Sequence, residues 1–266
     1  MRSLRKDIGL YLSYLHMHLL SGLEYKGWWM MCIQVLVVCL SDPLPTLLMF
    51  SRMGSIGVWN WERILLVYSL ALASYGMAES FCRGFDYFPW KMLQSGDFDR
   101  VMLRPRGIPF QVAGSVFHIH RLMRASLGLG ISIWLLIRLN GSITPFIALV
   151  IGLSVIGGIL LYSGVFILCA GIAFYTIKAL DWIFILTNAS YQVTRVPIDY
   201  MPRWLWSMFT FLMPVLLVSF YPASAACGWG QPLWTGFLAL PAGISFLLIS
   251  LVVWNKGVKH YQSTGS

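Results

Sequence analysis

Ser95-Gly-Asp-Phe-Asp-Arg-Val-Met-Leu-Arg-Pro-Arg-Gly107 is the most strongly charged interval of a chain that is otherwise almost all apolar. Gly96 breaks whatever precedes it, and Asp97 is placed to cap a new helix by accepting a hydrogen bond from its first free N–H groups. Phe98, Val101 and Met102 fall at i, i+3 and i+4, so they share one face. Arg100 and Arg104 are four apart and make a second, cationic stripe. Pro105 stops the helix, and Gly107 and Pro109 keep it stopped. The spacing predicts a short amphipathic helix with an aromatic knob, a shape suited to docking.

What flanks this helix sets the fold class. Of 266 residues, 58% are hydrophobic and only 11% charged, and the mean hydropathy is +0.72. A soluble domain needs about a quarter of its residues charged to cover its surface. The composition therefore predicts an all-α polytopic membrane protein, a single transmembrane domain over residues 1–266. Twelve Trp and twelve Tyr suit aromatic belts at the two interfaces. The net charge of +9 fits loops facing anionic lipid better than it fits nucleic acid. No cleavable signal sequence is legible, because Lys6, Asp7, Glu24 and Lys26 interrupt the first apolar residues. The five cysteines (Cys32, Cys39, Cys82, Cys169, Cys227) form no C-x-x-C pair and read as small buried hydrophobes.

Leu4, Ile8, Leu12, Leu15, Leu19 and Leu23 recur at helical spacing, with Arg2, Arg5, Lys6 and Ser13 off that stripe. An interfacial helix over about 2–24 fits, as does a cytosolic extension of span one. Span one is expected over about 27–50, long enough to cross a ~30 Å core. Ser41-Asp42-Pro43-Leu44-Pro45 interrupts it, with Asp42 as cap and Pro43 at the first restarted position. Further spans are expected over about 64–81, 116–139, 143–175, 204–220 and 233–254. Small residues at Ser126, Gly128, Gly130 and Ser132, and again at Ser154 and Gly158, have the spacing of close helix packing. The semi-polar stretch from Asp181 to Arg203 is expected as a connection.

Six spans put both termini on one side. That side collects 16 of the 19 basic residues; Arg52, Arg63 and Arg138 lie on the other. The termini and the charged helix are therefore expected in the cytoplasm, in a multi-pass protein of the cell (inner or plasma) membrane.

No phosphate-binding loop occurs: Gly22 and Gly27 are correctly spaced, but Trp28 and Trp29 follow instead of Lys-Ser. The chain is not expected to hydrolyse ATP or to hold a cofactor of its own. His16 and His18, and His118 and His120, are two apart, so on a helix each pair points to different faces and a shared metal is not expected. No serine has the context of a catalytic nucleophile. Asp42, Glu62, Glu79 and Asp181 lie in or near spans, where an ionisable group is a functional candidate. Asp42 fits either a cap at the Pro43 restart or a place in a substrate path. Glu79 and Asp181 are expected to pair with Arg83 and Lys178.

Three segments carry a resemblance. They are Gly96 to Pro105, Thr210 to Ala223 with Pro214 and Tyr221-Pro222-Ala223, and the tail Trp254 to Ser263. With the span number, they make the chain resemble permease subunits of type 2 ABC exporters, in a six-span subfamily of about this length. The resemblance implies that the charged segment, within a cytoplasmic loop of about 82–114, is a coupling helix seated in a groove of a separate ATPase. Asp97, Phe98, Asp99, Arg100, Val101, Leu103, Arg104 and Pro105 would be its contact residues. It also implies two ATPase copies that bind ATP and Mg, a second permease copy, identical or homologous, and export. Arginines resting on lipid headgroups would explain Arg100, Arg104 and Arg106 but not Asp97 and Asp99, which that surface repels. A rival reading, an integral-membrane enzyme acting on a lipid or isoprenoid, has only the histidine pairs and Asp42 in its favour.

Overall fold

The computed structural model describes residues 2–24, 26–55, 57–176 and 188–262, and among these every regular element is helical. Helix α1 is Arg2–Glu24, α2 Trp28–Ser41, α3 Leu44–Met53 and α4 Trp61–Phe88. A π-helical turn, Pro89–Leu93, continues α4. The short helices α5 (Phe98–Met102) and α6 (Ile108–Gly114) follow, then α7 (Leu122–Asn140) and α8 (Pro145–Thr176). A C-terminal helix, Ala239–His260, continues a 3₁₀ stretch over Leu233–Leu238. Among the described residues five stretches are long and apolar enough to cross a membrane: Trp28–Arg52, Trp61–Leu93, Ile119–Asn140, Pro145–Thr176 and Leu233–His260.

Helix α4 is the centre. Most of its apolar window is buried, whereas the first and last of the five stretches are largely exposed, as lipid-facing helices would be. It runs antiparallel to α7, with Glu62 against Arg138 at one end, a 2.8 Å Ser69–Ser132 hydroxyl pair in the middle and Glu79 against Arg124 at the other. It runs parallel to α8, through Tyr75 on Tyr162 and Phe88 on Phe174. Helix α8 in turn lies parallel to the C-terminal helix. Their backbones touch where a Cβ on Gly157 would strike the Ala239 carbonyl and one on Gly243 would strike that of Gly157. Of the four small residues singled out on α7, only Gly128 and Ser132 face α4; Ser126 is exposed and Gly130 faces open space.

One face of the bundle carries α1, α5, α6 and the ends of α4, α8 and the C-terminal helix. Helix α1 is fastened there by Tyr11, whose hydroxyl donates to the Phe81 carbonyl at 2.8 Å, and by Asp7, which accepts from the Gly107 N–H at 3.2 Å. Helix α4 overruns its expected end at 81, because charged Arg83 and Asp86 find partners at the bundle's rim rather than ending the helix.

The expected span over 204–220 does not run straight through. Arg203–Leu212 and Val215–Cys227 meet at a bend of 68°. Just before this pair, Asp199 accepts from the Trp59 indole at 2.8 Å, at the face opposite α1. At its end Asn140 donates to the Cys227 thiol at 3.4 Å, and just after it Arg63 lies over Trp229, at that same face. Between them the Val218 carbonyl accepts from Ser154, inside α8, at 2.6 Å. The pair dips in and comes back out. Pro214 supplies no N–H and Ser219 leaves helical geometry (φ −125°, ψ −63°), so the segment folds on itself. Helix α8 ends at the α1 face, whereas Asp199 stands at the opposite one. Asp181 and Lys178 lie outside the described residues. Arg195, expected on the α1 side, instead reaches the break in the first span.

Candidate functional site

The charged segment forms a tight loop anchored from inside. Gly96 takes a positive φ of 74°, which turns the chain into α5. Asp97 occupies the N-cap position, but its carboxylate accepts no helical N–H; it pairs with Arg100 at 3.1 Å instead. The expected cap is thus an i,i+3 ion pair, since Asp97 has helical torsions that aim its side chain along the helix surface. Phe98 is fully buried and is not an outward knob. Its ring packs edge-on against Phe88 at 5.2 Å and Tyr261 at 5.0 Å, and tilted against Phe174 at 5.4 Å. Those three rings belong to the ends of α4, the C-terminal helix's exit and α8, and an apolar ring leaves water most completely where three helix ends converge. Val101 is buried beside it, and Asp99 is half-buried. The outward surface consists of Arg100, Met102, Leu103, Arg104, Pro105 and Arg106, with Leu103 84% exposed at its tip. Arg104 also donates to the Tyr14 hydroxyl at 3.2 Å, which joins the loop to α1.

Glu79 meets more than its expected partner. Arg83, one turn on, contacts one of its oxygens, Arg121 Nη1 reaches the same oxygen at 2.7 Å and Arg124 Nη1 the other at 2.7 Å. The Glu79 side chain is 1% exposed, and a buried carboxylate needs such partners. Asp86 lies 3.1 Å from Arg83 Nε. Arg124 also lies over the Tyr75 ring at 5.3 Å. The signal for this cluster was present in the sequence as Arg121 and Arg124, three apart, but their shared target lies on another helix.

Asp42 caps nothing. It ends α2, while α3 starts behind Pro43 with no side-chain cap. Its carboxylate accepts from the Tyr191 hydroxyl at 2.9 Å and lies 2.9 Å from Arg195 Nη2; Arg195 Nη1 donates to the Asp42 carbonyl at 2.7 Å. That carbonyl lies at the end of α2, where no following helical N–H serves it, and Arg195 fills the gap. Tyr191 stacks on Tyr75 at 5.2 Å and Arg195 lies over Tyr68 at 4.9 Å, so an aromatic–cation column runs from the span-one break toward Arg124.

His118 and His120 lie ring to ring at 5.1 Å, yet no group of three metal-binding side chains occurs among the described residues. Burial, then His120 and Arg121, lowers the His118 pKa to about 4, so it is neutral at physiological pH. The five cysteines are buried or half-buried and no disulfide occurs among the described residues.

Searches of curated proteins and of solved structures each found no match. The model of a family described as ABC-2 family transporter protein matches residues 36–265, nearly the whole chain and all the helices just described except α1 and the start of α2. This multi-pass helical protein belongs to the ABC-2 family of transporter proteins.

Proposed function

We propose that this chain is the membrane-spanning subunit of an ATP-driven exporter, pairing with a second permease copy and with two cytoplasmic ATPase subunits. ATP and Mg are bound by those subunits. The α5 loop is the docking element, and it works with an inside and an outside. Leu103, flanked by Arg100, Arg104 and Pro105, enters the ATPase groove, while Asp97 holds Arg100 in place. Phe98 and Val101 pass the movement on. The observation that carries this reading is the contrast between exposed Leu103 and the buried Phe98 ring, wedged between the ends of three long helices. A displacement of α5 cannot leave α4, α8 and the C-terminal helix unmoved without opening a void in close-packed rings. ATP can drive the cycle only if the ATPase dimer binds one arrangement of these helices more tightly than another.

Asp42 is not required as a substrate ligand in this scheme. It holds the break in the first span against Arg195 and Tyr191.

Recruitment of the ATPase tests the docking surface. Leu103→Glu, which puts a charge where an apolar tip should enter a groove, is expected to weaken capture of the ATPase more than tenfold, equivalent to about 1.4 kcal/mol or more. Phe98→Ala is expected to cost about 3 kcal/mol of stability and to lower stimulated ATP hydrolysis more than binding. Capture that is unchanged in Leu103→Glu refutes the docking assignment. Orientation is tested by single-cysteine labelling in a cysteine-free background: with both termini in the cytoplasm of the plasma membrane, a cysteine at Ser95 is shielded from an impermeant reagent in intact cells and one at Gln231 reacts. The reverse pattern would put the α5 loop on the wrong side for an ATPase.

A further inference from the structure

Around Glu79 the charges do not balance. Arg83, Arg121 and Arg124 converge on Glu79 and Asp86, three guanidiniums against two carboxylates. The nearest helix terminus adds to the surplus. Arg121 and Arg124 sit at the start of α7, where the helix dipole is itself positive and no acidic residue occupies the first turn. A 19-residue helix would ordinarily take an acid at this place and a base at its far end. The hydrogen bonding is incomplete as well. Arg121 and Arg124 each spend one Nη on Glu79, and each keeps a buried Nε with no hydrogen-bond partner among the described residues. Arg124 as a whole is only 8% exposed. Arg121, with 23% of its side chain exposed, forms the open edge of the cluster.

We propose that this cluster is a binding site for a phosphate-bearing anion, with Arg121 and Arg124 as its ligands and Glu79 holding them in place. A phosphate offers the several acceptor lone pairs that the unused guanidinium N–H groups need, and planar guanidiniums bind it through paired hydrogen bonds. It also supplies the negative charge that the start of α7 lacks. The cluster lies near the α1 face, at the end of the α4–α7 contact, within reach of a membrane surface. A basic pocket between spanning helices at that depth suits a lipid headgroup, and the recognised chemistry is a phosphate whose negative charge no ammonium in the same headgroup cancels. Glu79 keeps the arginines buried when the site is empty.

The site is tested on the full chain purified in uncharged detergent, without any ATPase, so its failure would leave the docking reading standing. Thermal unfolding is followed against inorganic phosphate, short-chain phosphatidylglycerol and phosphatidylcholine of the same chain length. A saturable rise in Tm is expected with phosphatidylglycerol and not with phosphatidylcholine, weakened at least tenfold in half-saturation by Arg121→Gln. A rise with phosphatidylglycerol alone identifies a lipid headgroup; a rise with inorganic phosphate too identifies a site open to a soluble anion. Glu79→Gln, destabilised when anion-free, is expected to regain Tm with the same anion. No saturable response of the wild type to either anion overturns the proposal, as does equal response to the two lipids. An unchanged half-saturation in Arg121→Gln also overturns it. Should Arg121→Gln not fold, Arg121→Lys, which keeps the charge but not the paired hydrogen bonds, gives the same comparison.

Discussion

Glu79 and Asp42 are both carboxylates set among apolar helices, and the structure treats them differently. Asp42 is matched one to one. Arg195 meets both its side chain and its backbone carbonyl, Tyr191 donates to the same carboxylate, and the pair is neutral. Glu79 is outnumbered by three guanidiniums, with only Asp86 to help. Arg195 too keeps a buried Nε with no hydrogen-bond partner among the described residues, but its charge is cancelled, and a neutral pair closes a structural gap. An unbalanced one has its carboxylate fully engaged and its cations in excess, which is the condition of a site. The lesson is that a buried ionisable residue should be judged by the charge sum around it, not by its depth.

The sharpest way to break this contrast is to remove each negative charge in turn. Glu79→Gln leaves three arginines facing one another across a buried space, and removing one partner of a buried pair typically costs about 3–5 kcal/mol. Thermal unfolding of the purified chain should show a large loss, partly restored by the anion that stabilises the wild type. A loss no greater than that of Asp42→Asn would erase the difference. Asp42→Asn is expected to cost less, about 1–2 kcal/mol, because the amide oxygen still accepts from Tyr191 and Arg195 still reaches the backbone carbonyl. Transport should persist at reduced stability; selective loss of transport in a normally stable variant would make Asp42 a substrate ligand. Glu62 supplies the low end of the scale. It pairs with Arg138 at 2.6 Å, but the Arg138 side chain is half exposed and already rests over Trp61 and Trp134. Glu62→Gln should therefore change stability by about 0.2–1 kcal/mol, and less in high salt. A value as large as that for Asp42 would show that exposure does not rank these pairs.

Much of the molecule was legible in the chain. Apolar runs located α2–α3, α4, α7, α8 and the C-terminal helix to within a turn or so, apart from the late start of α7 and the overrun of α4 and of the last helix. Local signals also placed the break at Asp42-Pro43 and the short helix after Gly96. The misreadings share one cause. Periodicity shows that Phe98 and Val101 share a face but not which side that face looks toward, and here it looks inward to Phe88, Phe174 and Tyr261. The apolar stretch ending at Phe220 has a composition that suits a span and a re-entrant hairpin alike; Pro214 was visible, but its consequence depends on Ser154 receiving Val218 and on both ends returning to one face.

What the sequence by itself determined is whatever follows from water and lipid acting on local composition: a membrane protein, helical throughout its spans, with most of its positive charge on one side and a charged loop between two spans. Backbone polar groups in hydrocarbon must be satisfied within their own segment, so length and apolarity alone locate such helices. Tertiary structure decided everything that depends on a partner far along the chain. Arg195 lies 153 positions from Asp42, Arg124 lies 45 from Glu79 and Tyr261 is farther still from Phe98. Charge pairing and ring packing act over a few ångströms of space, and only the folded bundle brings those residues that close.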